Sequence, residues 1–198
     1  FDYQIPLCSL PKYLDIKTTE EINFFSLKYI NKFDNHLLLD NKKLNIGIAW
    51  SGNKEYFLDT YRSIPFKYFK NILNLKDINF FKLSKDLRDE DKDKFTLYPN
   101  LIDLSKRYLA EVSDYIKHLD LVISSDTSII HLAGILNKKS ILLLNYNSDW
   151  RWFDGINNTV WYPSVQVIKQ SKFNSWNEVF TKLEKKLEKL KLAKKKPE

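Results

Sequence analysis

The residues best suited to chemistry lie close together in the stretch Ser124–Gly134, which reads Ser-Ser-Asp-Thr-Ser-Ile-Ile-His-Leu-Ala-Gly and follows a short apolar run. Asp126, Thr127 and Ser128 favour the start of a helix, where unpaired N–H groups and the positive end of the helix dipole attract an anion. His131 follows Thr127 by one helical turn and shares its face. The stretch predicts a phosphate-binding helix start. Simple helix capping and a buried, hydrogen-bonded His131 remain the alternatives.

A second polar loop begins with Ser51, Gly52 and Asn53, directly after another apolar run. A glycine there allows backbone N–H groups to approach a phosphate closely. The same loop continues to Arg62, whose guanidinium can donate two hydrogen bonds to phosphate oxygens. A tight turn at Gly52 and a surface Arg62 paired with Asp59 would explain these residues equally well.

A third candidate segment is rich in tryptophan and covers 149–153 and 161–163. Its aromatic faces could stack on a base or a sugar beside Arg151, or they could fill the apolar base of a long loop. Both alternatives remain open.

Several familiar site types lack support in the sequence. The three histidines are scattered, and no Asp-x-Asp pair ends a strand, so no metal site is expected. The dinucleotide fingerprint, the Walker motif and the nucleophile elbow are absent, and the chain has only four glycines. Classical NAD, P-loop and hydrolase functions are therefore not expected, and neither is a bound cofactor.

The elements that must position these residues alternate between short apolar runs and helical patterns. Alternation of this kind is typical of βαβ units in a Rossmann-like α/β fold, with a parallel sheet and helices on both faces. Ligands of such sheets bind at the carboxyl ends of the strands, where the candidate loops lie. The predicted strands are 44–50, 78–83, 101–104, 119–124, 140–144 and 165–168, and the predicted helices are 65–73, 107–118, 127–136 and 176–192.

Length and composition fit one such domain with an appendage. The chain has 198 residues, of which 43% are hydrophobic and 15% aromatic. Residues 41–198 form the predicted domain, and residues 1–40, with a helical stretch ending at Leu37–Leu39, are expected to be the end of a preceding domain and a linker. The chain lacks methionine, a signal peptide and an apolar run long enough to span a membrane. With the single Cys8, this predicts an excerpt of a longer cytoplasmic protein.

The net charge of +7 is concentrated at the carboxyl end of the chain. Eight lysines and three glutamates fall within 182–198, so this tail carries +5 of the total. The rest of the chain is too weakly basic for an extended phosphate-tracking surface. We therefore expect the tail to be the solvated face of a terminal helix, and we expect no nucleic-acid partner.

Taken together in order, these motifs resemble the catalytic region of bacterial tetratricopeptide-repeat glycosyltransferases, which are related to O-GlcNAc transferase and to the heptosyltransferase family. The segment Asp126–Gly134 is similar to the Asp-Ser/Thr-Gly-x-x-His-Leu-Ala element of heptosyltransferases. The resemblance is collinear from about residue 5 to 190. It runs through 6–11, 50–53, 59–65, 126–134, 149–152, 161–164, Gln170 and Trp176.

The resemblance implies the donor-binding, carboxyl-terminal half of a GT-B glycosyltransferase, which binds a nucleotide-diphosphate sugar and transfers the hexosyl or heptosyl group without a metal. By position, Ser51, Gly52, Arg62, Thr127 and Ser128 would approach the phosphates. The Leu83–Ser84 strand end and 111–114 would lie near the nucleoside. The implied donor-site residues are Ser51, Gly52, Asn53, Arg62, Ser84, Asp126, Thr127, Ser128 and His131. No catalytic residue is assigned.

Other functions remain possible. Lys54, Tyr56 and Leu58 stand where relatives often carry Pro, His and Asn, so a degenerate, non-catalytic module that binds a nucleotide or a protein is the first alternative. Another Rossmann-like nucleotide-binding enzyme is the second. The acceptor, which could be a glycan, a lipid or a protein, is unassigned. Residues 1–198 alone are expected to be inactive, because GT-B acceptor sites need the other domain.

Overall fold

The structure is a computed structural model that describes Gln4, Pro6 and residues 9–22, 39–57, 59–85, 87–91, 94, 97–105, 109–153, 155 and 157–194. Its centre is a sheet of six parallel strands. The strands are β1 (Leu44–Ala49), β2 (Ile78–Lys82), β3 (Leu101–Asp103), β4 (Leu121–Ser124), β5 (Ser140–Leu144) and β6 (Val165–Lys169).

Helices alternate with these strands along the chain. The α-helices are α1 (Leu10–Tyr13), α2 (Asp59–Arg62), α3 (Lys70–Leu73), α4 (Leu109–His118), α5 (Ser128–Ile135) and α6 (Trp176–Lys194). Turns of 3₁₀ helix occur at Thr19–Glu21, Phe66–Phe69, Asp89–Asp91 and Trp150–Trp152.

The strand order β3-β2-β1-β4-β5-β6 reverses direction between β1 and β4. At such a point the connections leave to opposite sides of the sheet, which opens a crevice at the carboxyl ends of the strands. Ala49 is paired with Ser124 at this boundary. The loops that start at Trp50 and Ser125 therefore leave the sheet side by side.

The sheet is covered on both faces. Successive residues of a strand point to opposite sides, and the buried residues of β1 divide accordingly. Ile46 and Ile48 belong to a core layer shared with α3 and α6, whereas Ala49 belongs to a layer shared with α4 and α5. A third, smaller layer lies under Trp152 and packs on β5. The predicted Rossmann-like α/β fold is confirmed.

Element boundaries differ from those predicted in a few places. The helix expected over 65–73 is a 3₁₀ turn followed by α3. The sequence pattern did not distinguish the two geometries, because either one can bury Phe66, Phe69, Ile72 and Leu73. The helix expected from residue 107 begins at Leu109, and 106–108 are outside the described residues. The helical stretch predicted to end at Leu37–Leu39 also lies outside them, except for Leu39, which packs against the α4 and α5 layer.

Within the described part of the chain, no helix combines the length and the apolar character that crossing a bilayer requires. The predicted boundary between a preceding segment and a domain starting at residue 41 stays a prediction.

Candidate nucleotide-binding site

A cavity of about 510 Å³ lies where β1, β4 and β5 end. The loops that follow these three strands supply its walls, as expected for a ligand site of a parallel sheet. Its lining residues are Tyr56, Tyr61, Arg62, Asp126, Asn145, Asn147, Ser148, Asp149 and Arg151.

Arg62 occupies the boundary between the β1 and β4 loops. Its Nε donates to Asp59 Oδ1 at 3.1 Å, and its Nη1 donates to the backbone oxygen of Asp126 at 3.4 Å. The guanidinium carbon also lies 4.6 Å from the ring centroid of Tyr56, a cation–π distance. The predicted alternative of an Asp59 partner is thus correct in geometry, yet Arg62 also lines the cavity and reaches the loop after β4.

Gly52 contributes to this arrangement by having no side chain. A Cβ atom at Gly52 would collide with Nη2 of Arg62. The Gly52 N–H donates to Ser63 Oγ at 3.2 Å. In this geometry Gly52 therefore makes room for the guanidinium of Arg62.

Asp59 holds the base of the same loop together. The residue is 4% exposed, and its carboxylate accepts from Arg62 Nε and from Ser63 Oγ, the latter at 2.9 Å. Arg88 donates from Nη2 to the backbone oxygen of Asp59 at 3.0 Å. Sequence reasoning treated Asp59 only as an alternative partner of Arg62. The i, i+3 spacing of the two residues on a helix was the signal for a positioning role.

The other β1-loop candidates support the loop from behind or lie on its surface. Ser84 is buried, and its hydroxyl accepts from the Trp50 N–H at 2.9 Å and from the Ser51 N–H at 3.4 Å. Asn53 is exposed, and its Oδ1 accepts from the Glu55 N–H at 2.9 Å, which closes a local turn. Neither side chain lines the cavity.

The α5 helix begins at the cavity edge. Thr127 is its N-cap by backbone geometry but makes no side-chain capping bond. Its hydroxyl lies 3.0 Å from Ser124 Oγ, which itself donates to the backbone oxygen of Ser125. The Thr127 hydroxyl hydrogen must therefore point to Ser124, since the Ser124 hydrogen is already used. Ser128 is exposed in the first turn, where helix N–H groups have no intrahelical acceptor.

His131 has a partner near each ring nitrogen. Nδ1 lies 3.0 Å from the Tyr162 hydroxyl, and Nε2 lies 3.7 Å from Asp126 Oδ1. The ring also stacks on buried Trp152 at 5.1 Å. Tyr162 can pack here because Gly134 has no side chain for its ring to strike. His131 therefore orients Asp126 from behind and does not itself line the cavity.

The ionisation of this cluster follows from its contacts. Burial opposes the charge of Asp126, but contacts with His131 and Trp152 outweigh burial and lower the pKa of Asp126. The buried Trp152 Nε1 has no acceptor in hydrogen-bond geometry within the part of the chain that the structure describes, so we attribute its effect to the nearby N–H dipole. Burial raises the pKa of Tyr162, which keeps this hydroxyl protonated. Its donation to Nδ1 would place the imidazole proton on Nε2, facing Asp126.

The charged side chains of the cavity are balanced in sign. Arg62 and Arg151 stand against Asp126 and Asp149, and Arg151 pairs with Asp149 at 3.3 Å. An anion bound here would depend on directed donors more than on net positive charge. Among the described residues, no three His, Cys, Asp or Glu side chains are grouped so as to hold a metal ion.

The tryptophan-rich loop shows one of its two predicted roles, the filling of its own apolar base, while stacking on a base or a sugar stays a prediction. Trp152 is fully buried and fills the base of the loop, whereas Trp150 is 68% exposed. Trp161 Nε1 donates to the backbone oxygen of Arg151 at 2.7 Å, which fixes the loop beside the cavity. None of these three indoles lines the cavity.

The nine predicted donor-site residues thus fall into two groups. Arg62 and Asp126 line the cavity directly. The other seven surround it at the ends of β1, β2 and β4. The assignment of all nine residues to a donor site stays a prediction. Sequence reasoning missed Asn145 as a site component, and it included Tyr162 in the tryptophan-rich segment without placing it against His131. Asn145 directly follows β5, a position that the strand-end rule could have identified.

The fold and the cavity define a class: a doubly wound α/β protein with a ligand crevice at the strand-order reversal. Within that class, residues 92–186 match glycosyltransferase family 9 (heptosyltransferase). This match includes the α5 segment and the tryptophan-rich loop. It supports the interpretation of the chain as part of a glycosyltransferase.

Solved heptosyltransferases share the fold. Escherichia coli heptosyltransferase WaaC with ADP superposes with a TM-score of 0.58 at 14% identity, over 77% of this chain and 46% of that one. E. coli ADP-heptose LPS heptosyltransferase II superposes with a TM-score of 0.52 at 12% identity, over 80% of this chain and 50% of that one. The chain therefore spans about half the length of these structures.

A stretch of the chain is also similar to a protein of another class. It is 28% identical over 128 residues to a glutamate–tRNA ligase of Mesomycoplasma hyopneumoniae strain 232, which corresponds to 60% of this chain and 25% of the ligase. The glutamate–tRNA ligase of a second strain, 7448, matches with the same identity and the same coverage. Only a quarter of the ligase is matched, so its activity is not transferred to this chain.

Proposed function

We propose that this chain is the donor-binding half of a glycosyltransferase and that its 510 Å³ cavity binds a nucleoside-diphosphate sugar. The observation that carries the proposal is the position of Arg62. This cation lines the cavity beside the start of α5, and Asp59, Gly52 and Tyr56 hold it in place.

The diphosphate would lie between Arg62 and the first turn of α5. Two guanidinium N–H groups of Arg62 bond to Asp59 and to the Asp126 backbone, and a guanidinium has five. The helix start adds N–H donors and a favourable dipole, worth about 0.3–1 kcal/mol when exposed and up to about 2 when partly buried. These groups would neutralise the leaving diphosphate without a metal ion.

An adenosine diphosphate sugar is the first donor to test, because one heptosyltransferase with the same fold was solved with ADP and the other is named for ADP-heptose. Transfer of a hexosyl or heptosyl group to a glycan, lipid or protein acceptor would require the rest of the parent protein. Tetratricopeptide repeats in that parent, and its relation to O-GlcNAc transferase, stay predictions from sequence resemblance.

Calorimetry with ADP, UDP, GDP and CDP tests the site. Arg62→Ala should weaken binding of the preferred nucleoside diphosphate about tenfold to a hundredfold, because a charge-assisted contact of about 1.5–3 kcal/mol is lost. Binding of the matching nucleoside should be nearly unchanged. Lys139→Ala is the control, since it removes an exposed positive charge before β5, at the opposite edge of the sheet.

Thr127→Val should weaken diphosphate binding less than Arg62→Ala. The Thr127 hydroxyl hydrogen is directed to Ser124, and the backbone donors of α5 survive the substitution. Equal loss of nucleoside and nucleoside diphosphate in Arg62→Ala would contradict the phosphate assignment and leave Arg62 with a structural role.

A binding-only module of the same fold is the second candidate. It is favoured by the first loop, where Lys54 and Tyr56 replace residues common in the resembled family, and where Tyr56 supports Arg62. Leu58, the third replacement, lies outside the described residues. Assay of the full parent protein separates the two candidates, because a binding-only module would bind the donor and release no sugar from it.

A further inference from the structure

A second cavity, of about 540 Å³, adjoins the first one at the carboxyl edge of the sheet. The two cavities share Tyr61 and Asn145 as lining residues. A ligand in one would therefore lie next to a ligand in the other, separated by these two side chains. None of the nine residues predicted from sequence lines this second cavity.

The lining of the second cavity is polar but almost uncharged. Of the described residues that line it, Lys67 alone is charged, whereas the first cavity presents two arginines and two aspartates. Amides and hydroxyls make up much of the remaining wall. Binding sites of this composition use a few placed hydrogen-bonding groups to orient a ligand. Such a wall suits a neutral ligand rich in hydroxyl groups better than an anion.

Gln170 supplies a hydrogen-bond donor in this wall. It directly follows β6 and is 4% exposed. Its Oε1 accepts from the Tyr146 N–H at 3.0 Å, which fixes the orientation of the amide. Its Nε2 is buried and has no hydrogen-bond partner among the described residues. An unpaired buried donor costs about 1–3 kcal/mol, and a ligand oxygen would satisfy it.

Aromatic surfaces complete the second cavity. Phe173 is 60% exposed and Tyr61 is 53% exposed, although both line the cavity. Exposed aromatic rings at a cavity mark a surface suited to contact with a ligand. The C–H face of a sugar ring can lie flat on such a surface while its hydroxyls bond to amides.

We propose that the second cavity binds a neutral sugar ring, next to the nucleotide in the first cavity. The role of this ring rests on the proposed function: it is either the sugar of the donor or a sugar of the acceptor. Gln170 Nε2 would donate to a ring hydroxyl, and Phe173 would cover one face of the ring.

Saturation-transfer NMR on the whole chain tests the proposal with three probes: methyl β-D-glucopyranoside, methyl β-D-galactopyranoside and chitobiose. At least one probe should bind at millimolar concentration. Phe173→Ala should weaken that binding about three- to tenfold and leave ADP affinity unchanged, which also confirms folding. Tyr13→Ala, another exposed aromatic but outside both cavities, should have no effect.

Gln170→Glu is the second variant, because a carboxylate keeps the acceptor for Tyr146 and removes the N–H donor. Loss of sugar binding in this variant supports the assignment of Nε2. Full sugar binding in Phe173→Ala, or no binding by any probe, would overturn the proposal.

Competition distinguishes the source of the ring. If ADP-glucose blocks the probe and ADP does not, the cavity holds the donor sugar. If the probe binds alongside ADP-glucose, the cavity holds an acceptor sugar. If ADP alone displaces the probe, the sugar lies in the first cavity and the proposal is overturned. Failure of the proposed function is separate, because it would appear as absent nucleotide binding in calorimetry.

Discussion

Asp59 determines how well Arg62 is prepared to meet a phosphate. The carboxylate is buried, accepts hydrogen bonds from Arg62 Nε and Ser63 Oγ, and forms an ion pair with Arg88 Nη2 at 3.8 Å. A long, flexible arginine side chain loses rotamer freedom when it binds a ligand, at a cost of about 0.5–1.5 kcal/mol. The contact with Asp59 already restricts the rotamers of Arg62, so less of this freedom is left to lose on binding.

Asp59→Asn should therefore weaken nucleoside diphosphate binding by up to about tenfold. The amide retains an acceptor oxygen but loses the charge that holds Arg62 in place. Calorimetry with the preferred diphosphate and with its nucleoside measures the effect, and the nucleoside should be nearly unaffected.

Asp149→Asn is the matched control for that substitution. It removes the same charge from the same cavity but acts on Arg151, not Arg62. If charge alone mattered, both variants should bind the anion more tightly. A positioning role requires Asp59→Asn to weaken binding, and tighter binding in both variants would refute it.

At the scale of residues, the sequence predicted the side chains that follow strands but not those that arrive from distant segments. Arg62 and Asp126 were identified because they lie near the ends of β1 and β4. Tyr162 was not placed against His131, because 31 residues separate them and no periodicity reports such a contact. The small residue Gly134 at the end of α5 was the available signal.

At the scale of elements, α6 is anchored at its start by a side chain of its own first turn. Glu178 accepts from the Ser171 N–H at 2.5 Å and from the Ser171 hydroxyl at 2.8 Å. These bonds join the end of β6 to α6, and the segment between them includes Phe173 of the second cavity. Hydrogen bonding, first from the Ser171 backbone, lowers the pKa of Glu178 to about 2.

Glu178→Gln should lower the free energy of unfolding at neutral pH and make no difference in strong acid. A carboxyl with a lowered pKa in the folded state stabilises the fold above its unfolded pKa, near 4.5, and loses that contribution as pH falls towards 2. The gap between wild type and variant should therefore close between about pH 4.5 and 2.

Urea denaturation across that pH range measures the gap. Glu184→Gln, further along the same helix, reports the effect of removing a carboxylate from its surface. A gap for Glu178→Gln that stays constant from pH 7 to pH 2 would show that Ser171 does not stabilise the charged form.

The elements themselves were largely predictable because of what a buried parallel sheet demands. Its strands must be apolar on both faces, and short apolar runs such as Ile46–Ile48 and Leu142–Leu144 were therefore recognisable between polar segments. The type of helical turn was harder to predict from the sequence. The 3₁₀ turn at Phe66–Phe69 buries aromatic residues at spacings that an α-helix would also satisfy, and tertiary packing decided between them.

At the scale of the whole molecule, the two cavities open at one edge of the sheet, the edge where the strands end. The chain spans about half the length of the heptosyltransferases with its fold. The sequence predicted this edge from the alternation of strands and helices and from the composition of the loops that follow the strands. It did not predict the second cavity, because Asn145 comes from the loop after β5, Gln170 and Phe173 come from the loop after β6, and the three residues share no motif.

We therefore expect the 198-residue chain to bind a nucleoside diphosphate and to transfer no sugar by itself. Binding needs Arg62 and the start of α5, which this chain contains, whereas an acceptor must also be held against the donor for transfer to occur. A ligand that binds only the folded state raises the melting temperature, and at a hundred times its dissociation constant it adds about 2.7 kcal/mol. Thermal-shift assays with ADP and the other diphosphates should show this rise, and Arg62→Ala should reduce it.

Chromatographic assays for sugar transfer from ADP-sugars to the three glycosides above should detect no product. Transfer by the chain alone would contradict this prediction, since these 198 residues would then suffice both to bind the acceptor and to hold it against the donor for reaction.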